Sequence, residues 1–296
     1  MQLFANANYN IVSKRKMGYI FSGVLILASI ISLIIHGGPK YNIDFTGGTL
    51  IQLKFEKDIQ IEDVRKALSA KGYKGLEIKH FGAQNEVAIR AGLQRSAKEI
   101  SSTMEEIIAK AIPDNHFVIQ QIEKVGPKIG QELVWSAIKA IFWALVLILF
   151  YILWRFEFRF SIGAIVALIH DVTITLGVFS IFEIEISAPL IAAILTIVGY
   201  SLNDTIVVFD RIRENMKSSK KSRDIEDIAN QSINETLSRT VITSLTTLIV
   251  VVVLFLFGGE VLHSFALALI IGIVVGTYSS IFIASPIVVD WKVKKA

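Results

Sequence analysis

Six long apolar stretches divide the chain, and each has the length of a helix that crosses a lipid bilayer. Such a helix needs about 20 mostly apolar residues. The six predicted spans, in chain order, are Met17–Ile35, Leu133–Trp154, Phe160–Phe182, Ala188–Phe209, Leu237–Phe257 and Leu262–Val289. The hydrophobic pattern therefore predicts a polytopic α-helical membrane protein with six transmembrane helices.

The interval between the first two spans, residues 36–132, follows a different pattern. Alternating apolar positions predict strands, and apolar positions three or four residues apart predict helices. In chain order, we expect a strand at 48–56, a helix at 61–72, strands at 76–82 and 86–92, a helix at 96–112 and a strand at 115–126. The order β-α-β-β-α-β predicts a small α+β domain of the ferredoxin-like type.

Basic residues next to the spans predict the orientation of the chain, because positively charged short loops stay in the cytoplasm. Lys14, Arg15 and Lys16 precede the first span, so residues 1–16 are expected to be cytoplasmic. Alternation of the spans then places 36–132 in the periplasm, and it places the loop 210–236 and the tail 290–296 in the cytoplasm. The remaining basic residues near span ends fall on the same side: Arg155, Arg159, Arg211, Arg213, Lys217, Lys220, Lys221, Arg223, Lys292, Lys294 and Lys295.

Two further features bear on this topology. The first span is expected to be an uncleaved anchor, because it is long for a signal peptide and no A-x-A site follows it. Within the loop 210–236, apolar residues at helical spacing predict a short amphipathic helix over 223–237 that lies along the membrane surface. Its apolar face contains Ile225, Ile228, Ala229 and Ile233.

Composition supports a membrane protein and excludes several kinds of chemistry. Of the 296 residues, 53% are hydrophobic and only 19% are charged, and the mean hydropathy of +0.57 is unlike that of a soluble protein. The chain has no cysteine, which excludes disulfides, a thiolate nucleophile and iron–sulfur ligation. No nucleophile–base pair, phosphate-binding loop or metal-ligand cluster stands out. We therefore expect neither an enzyme nor a bound cofactor or metal.

A carboxyl group lies inside the fourth span, in the string "GYSLNDTIVVFDRIREN" at 199–215. A charged side chain at the centre of a membrane helix costs about 2.5–3.5 kcal/mol and usually has a function. Asn203 precedes this residue, Asp204, and is predicted to lie near its helical face. Arg239 lies near the start of the fifth span, which runs antiparallel to the fourth. These residues therefore predict a protonation site, and a structural ion pair that only fixes the packing of the helices is the alternative.

The third span carries His170 and Asp171 near its middle, and the same two hypotheses apply to them. Either they belong to a polar path that converges with Asp204, or they form a hydrogen-bond network that sets the register of the helices. We include both residues in the predicted proton path, and the two hypotheses stay open at this point.

Small residues mark two other places. Gly47 and Gly48 follow the first span. Glycines are expected here either because the backbone needs a positive φ or because this position is a hinge. In the last span, small residues recur every four positions and predict a helix-packing face, within the chain or against a partner. The members of this face that we single out are Ala268, Gly272, Gly276 and Ser280.

Several blocks of the sequence resemble the SecF family, the smaller subunits of the SecD–SecF complex of bacterial protein export. The blocks are "YNIDFTGGTLIQLKF" at 41–55, "RFEFRFSIGAIVALIHDVTITLGVFS" at 155–180, "GYSLNDTIVVFDRIREN" at 199–215 and "LSRTVITSLTTL" at 237–248. The chain lacks the much larger external domain of SecD, so it is similar to a separate SecF. The complex itself resembles transporters of the resistance–nodulation–division type.

The resemblance implies a function in the cell inner membrane. Together with SecD, such a subunit is expected to use the proton-motive force to pull preproteins outward after the SecYEG channel and the SecA ATPase have pushed them through. It also implies that Asp204 and Arg239 belong to the proton path. The lipid bilayer is expected to be a partner, and nucleic acid is not. The alternatives are half of a proton-coupled small-molecule exporter and a passive assembly factor of the translocation channel.

Overall fold

The computed structural model describes residues 7–73, 76–91, 97–218 and 223–291 of the chain. It divides into two compact units. One contains the membrane helices and comprises Met1–Lys40 and Lys139–Ala296, and the other, the sheet unit, comprises Tyr41–Ile138. Five of the basic residues used to predict the topology lie outside the described residues: Lys220, Lys221, Lys292, Lys294 and Lys295.

The helices are long where the sequence is continuously apolar and short in the sheet unit. Their bounds are α1 Arg15–Ile35, α2 Ile43–Thr46, α3 Ile61–Ser69, α4 Ala97–Ala111, α5 Pro127–Arg155, α6 Phe158–Ile181, α7 Ala188–Ser218, α8 Ile225–Phe257, α9 Gly259–Ser279 and α10 Ser285–Asp290. A π-helical turn, Ser280–Ala284, joins α9 to α10. Within the described residues, six helical segments are long and apolar enough to cross a membrane, which confirms the predicted fold class.

The centre of the membrane unit is formed by α6, α7 and α9. About half of the most apolar segment of each is buried, whereas none of the corresponding segment of α5 is. At one end of the bundle Phe160 and Phe209 pack edge to face with ring centroids 5.0 Å apart. Such burial stabilises by about 25 cal/mol per Å² in soluble proteins, but inside lipid the fit between helices matters more. The polar side chains described below lie inside this central group.

The helix predicted over 223–237 is present from Ile225 onward, but the prediction that it is separate from the fifth span is wrong. α7 continues to Ser218, and α8 begins at Ile225 and runs without a break, because no glycine or proline interrupts it. Ala229 and Ile233 pack in the core cluster of the bundle. The two helices are also joined by an ion pair in which Arg211 Nε lies 2.6 Å from Glu235 Oε2.

The sheet unit has the predicted order of elements. Its strands are β1 Gly48–Phe55, β2 Glu77–Phe81, β3 Ala83–Ala91 and β4 Phe117–Val125, and they form one antiparallel sheet in the order β2-β3-β1-β4. Apolar side chains of α3 and α4 complete the core with the strands: Ile51, Leu53, Val64, Leu68, Val87, Ile89, Met104 and Ile108. The polar turn expected between β2 and β3 is shorter than predicted, because Gly82 has a φ of 84° and β3 begins directly after it.

Candidate functional site

Asp204 lies in the interior of the membrane unit, where α7, α8 and α9 meet. Only 2% of its surface is exposed. Ser244 Oγ, from α8, donates a hydrogen bond of 3.2 Å to Asp204 Oδ2. The same hydroxyl lies 2.7 Å from Thr277 Oγ1, from α9. One carboxyl group is therefore linked to both neighbouring helices through a single serine.

The packing face of α9 brings these polar groups together. A Cβ added at Gly272 would overlap the side chain of Ile197, and one added at Gly276 would lie 3.0 Å from Ser201 Cβ. Ala268 and Ser280 are also fully buried. The small residues thus pack within the chain, with the two glycines directly against α7, because only small side chains allow two membrane helices to approach this closely.

Arg239 is placed differently from Asp204. Its side chain is exposed on α8, nearer the start of that helix than Ser244. It is close enough to act electrostatically on Asp204. Both residues lie in the described part of the chain, and no ion pair joins them. The structure therefore brings the guanidinium into the electrostatic environment of the carboxyl group without direct contact.

Asn203 does not join Asp204 in the interior. It is exposed, as is Thr196 of the same helix, whose hydroxyl donates to the carbonyl of Ala192 at 2.8 Å. Successive residues on a helix point about 100° apart, so Asn203 lies on a neighbouring face and not on that of Asp204. We expected Asn203 near the carboxyl face, and its adjacency in sequence was the misleading signal.

Two buried hydroxyls near Asp204 have no protein partner among the described residues. They belong to Tyr200, one turn before Asp204 on α7, and to Thr240, one turn before Ser244 on α8. Because α7 and α8 run antiparallel, these positions lie on opposite sides of Asp204 along the bundle. Leaving a buried polar group unsatisfied costs about 1–3 kcal/mol, so both hydroxyls are positions where water is expected to bind.

A second polar centre surrounds His170 and Asp171 on α6. Their side chains are 2% and 0% exposed, and Nδ1 of the imidazole lies 2.8 Å from Oδ1 of the carboxyl group. The partners come from three other helices, and none of them was predicted from the sequence. They are Ser22 on α1, Ser201 on α7, and Tyr278 and Ser279 on α9. Hydroxyl residues inside apolar spans are the signal that could have identified them.

The glycine pair lies in the sheet unit, where Gly47 follows the end of α2 and Gly48 begins β1. Gly47 has a φ of 74° and Gly48 a φ of 139°, which are conformations that other residues rarely adopt. A Cβ at Gly48 would also lie 2.9 Å from the carbonyl oxygen of Ala91. These backbone requirements account for both glycines, and a hinge at this position stays a prediction. Among the described residues, no group of three or more His, Asp or Glu side chains is arranged to hold a metal ion.

Two sequence families match parts of the chain. Residues 103–294 match the family described as "Protein export membrane protein SecD/SecF, C-terminal". Residues 33–59 match the family described as "SecD/SecF GG Motif". The first match contains Asp204, His170 and Asp171, and the second contains the glycine pair.

Similar proteins share almost the whole length of the chain. "Protein translocase subunit SecF" of Rhodothermus marinus is 48% identical, and the alignment covers 100% of this chain and 97% of that protein. The same subunit of Calditerrivibrio nitroreducens is 47% identical over 97% of this chain and 96% of that protein. Among solved structures, SecDF of Thermus thermophilus, titled a translocon-associated membrane protein, superimposes with a TM-score of 0.88 at 39% identity. The match covers 98% of this chain, which spans only 39% of that SecDF chain.

Proposed function

The chain belongs to the SecF family of protein translocase subunits, and from this membership we propose that it uses the proton-motive force to drive late steps of preprotein export. The membership itself is shown by relatives of nearly equal length. It makes the chain an auxiliary subunit of the Sec translocase. That this subunit is driven by protons is the proposal, and it rests on the environment of Asp204.

The burial of Asp204 is the observation that carries the proposal. Removal from water disfavours the charged carboxylate, while a hydroxyl donor and a nearby guanidinium favour it. Ser244 and Arg239 supply these two influences. A carboxyl group under opposing influences can change its protonation state when one of them moves. Arg239 is suited to be the influence that moves, because no ion pair in the described structure holds it against Asp204.

The buried hydroxyls on either side of Asp204 supply a route for the proton. The hydroxyls of Thr240 and Tyr200 have no protein partner among the described residues, and the two residues flank the carboxyl group along the bundle axis. Water at these two positions would extend the polar path from Asp204 by about one helical turn in each direction. A charge that crosses the membrane gains about 2.3 kcal/mol per 100 mV. A few such transfers are enough to bias a conformational change.

SecD is the proposed partner. Two of the solved structures that match are SecDF chains, and this chain corresponds to 39% and 40% of them. The remaining part of such a complex would be supplied by SecD, and SecYEG, SecA and the preprotein would complete the working assembly. We place the subunit in the cytoplasmic membrane with residues 1–16 and 290–296 on the cytoplasmic side. Arg15, Arg211 and Arg213 near the helix ends support this orientation.

The test is the substitution Asp204→Asn, measured as preprotein export into membrane vesicles with and without an imposed proton gradient. The expected result is loss of the gradient-dependent part of export, with normal assembly with SecD. Asp210→Asn is the matched control, since Asp210 is on the same helix but is partly exposed and paired with Arg155 at 2.9 Å. Gradient-dependent export at the wild-type rate in Asp204→Asn would instead support a passive assembly factor.

A further inference from the structure

The hydrogen bonds around His170 and Asp171 determine how many protons the pair carries. The relevant side chains are buried, and each hydroxyl has only one hydrogen to donate. The hydroxyl of Tyr278 lies 2.9 Å from the carbonyl oxygen of Gly18, which can only accept. Tyr278 therefore donates its hydrogen to Gly18 of α1. Ser22 must then be the donor in its 3.1 Å contact with the Tyr278 oxygen.

Ser22 also contacts the imidazole of His170. Ser22 Oγ lies 3.0 Å from His170 Nε2. Because the hydrogen of Ser22 is already directed at Tyr278, the serine must accept in this contact. Nε2 of His170 therefore carries a hydrogen.

The opposite side of the pair is fixed by Asp171. Its Oδ2 accepts a hydrogen bond from Ser201 Oγ at 2.5 Å. Ser279 Oγ lies 2.9 Å from the same oxygen and shares its one hydrogen with the carbonyl oxygen of Gly276, at 3.1 Å. Hydroxyl donors directed at this oxygen favour an ionised carboxylate. Nδ1 of His170, 2.8 Å from Oδ1, must then donate as well. Both ring nitrogens carry hydrogen, so the residues form an imidazolium–carboxylate pair.

No other charge takes part in this centre within the described residues. α1 contributes Ser22, α7 contributes Ser201, and α9 contributes Ser279 and the titratable Tyr278, whose ring stacks on His170 with centroids 6.0 Å apart. On α6 itself, Thr175 donates only to the backbone of Asp171. Further along α7, Tyr200 is adjacent to Ser201 and Asp204 lies about one turn beyond it. The positive charge that balances Asp171 is therefore that of His170.

We propose that His170 and Asp171 bind one exchangeable proton as a pair, and that this proton controls the attachment of α1 to α9. If the proton leaves and Nδ1 keeps its hydrogen toward Asp171, Nε2 becomes an acceptor. The hydrogen of Ser22 then turns to Nε2, and one of the two hydrogen bonds between α1 and Tyr278 is lost. The pair would be a second proton-binding site for the proposed proton-driven function. Only the purpose of this site rests on that function, because the protonation of the pair is argued from its hydrogen bonds.

Nitrogen-15 NMR of the full-length protein with labelled histidine, in lipid nanodiscs, tests the protonation state. The signal of His170 is identified by its loss in His170→Gln. We expect both ring nitrogens of His170 to be protonated at neutral pH in the wild type. We expect a neutral ring in Asp171→Asn and no change in the control Asp210→Asn. A neutral His170 in the wild type, or a protonated one in Asp171→Asn, would overturn the proposal. If Asp171→Asn does not fold, the wild-type spectrum alone decides.

Hydrogen exchange, corrected for the intrinsic effect of pH, tests the link to α1. When the pH is raised until His170 loses its second hydrogen, amides near Gly18 and Ser22 are expected to exchange faster than those of α6. In His170→Gln this difference should be independent of pH. Constant exchange in α1 while the ring loses its proton would overturn the link. Neither measurement depends on export, so their failure leaves the role of Asp204 untouched, and the converse also holds.

Discussion

The hydroxyl of Ser244 contacts both Asp204, at 3.2 Å, and Thr277, at 2.7 Å. A single neutral side chain thus connects the buried carboxyl group of α7 with α8 and α9. The guanidinium of Arg239 acts on Asp204 only from a distance. The proposed proton site is therefore held by weak donors, an arrangement that allows both protonation states of the carboxyl group.

Removal of the Ser244 hydroxyl is expected to impair proton coupling without abolishing it. A hydrogen bond to a charged group contributes about 1.5–3 kcal/mol, so Ser244→Ala should shift the balance between the two forms of Asp204 by about tenfold or more. The rate of gradient-dependent export should fall between those of the wild type and Asp204→Asn. Thr246→Ala is the control, because Thr246 is exposed on α8 and donates to its own helix at 2.9 Å. Equal export in the two alanine variants would contradict the role of Ser244.

Arg239 is expected to matter for export but not for stability. Its side chain is exposed and makes no ion pair in the described structure, and substitutions at such positions usually change stability by less than about 0.5 kcal/mol. Arg239→Gln should therefore unfold at the wild-type temperature and lose gradient-dependent export. Arg239→Lys should keep part of the export rate, since it keeps the charge but not the geometry of the guanidinium. A large drop in unfolding temperature for Arg239→Gln would show that the residue is structural.

The contact between α1 and α6 depends on Gly177. A Cβ at this position would overlap Ser29 Oγ and Ser29 Cβ. Gly177→Ala is expected to destabilise the membrane unit by about 1–3 kcal/mol through overpacking, measured by thermal unfolding in detergent. Gly23→Ala on α1 is the matched control, because nothing lies within 4 Å of its added Cβ. The control should be neutral or stabilising by up to about 1 kcal/mol. If both variants unfolded alike, the close packing of α1 on α6 would be refuted.

Glu123 in β4 should make the stability of the sheet unit depend on pH. Burial raises the pKa of its carboxyl group, and the charge of Asp44 raises it further. The folded state therefore binds the proton more tightly than the unfolded state. Folding loses stability as the pH rises from the ordinary pKa of glutamate through the raised folded value.

Glu123→Gln should accordingly be more stable than the wild type at neutral pH, and the difference should shrink as the pH falls through that window. Thermal unfolding of the full chain at a series of pH values measures it. Glu106→Gln, at an exposed position of α4, serves as the control. A wild-type protein that loses stability relative to Glu123→Gln on acidification would contradict the sign of this prediction.

The sequence predicted the architecture well because its signals are local. Apolar length located the six spans, and alternation located the strands of the sheet unit. A single carboxyl group in an apolar helix was enough to identify Asp204. The partners of that group were harder to find, because Ser244 and Thr277 meet it only after three helices have packed together. Asn203 shows the same limit, since adjacency in sequence places two side chains about 100° apart on a helix.

The extent of α7 and α8 was missed for a different reason. Polar residues at 210–236 suggested a loop, but helix-forming residues without glycine or proline continued both helices beyond the apolar segments. The apolar positions Ala229 and Ile233 were recognised as one face, and the core of the bundle covers that face. A hydrophobic pattern shows that a face is buried but does not specify the surface that buries it.

The central claim is that Asp204 takes up and releases a proton as export proceeds. Proton flux can be measured with a pH-sensitive dye in proteoliposomes that contain the subunit with SecD, SecYEG and SecA during translocation of a preprotein. The wild type and Asp210→Asn are predicted to show a flux that begins with translocation, and Asp204→Asn is predicted to show none. A translocation-dependent flux of wild-type size in Asp204→Asn would contradict the claim.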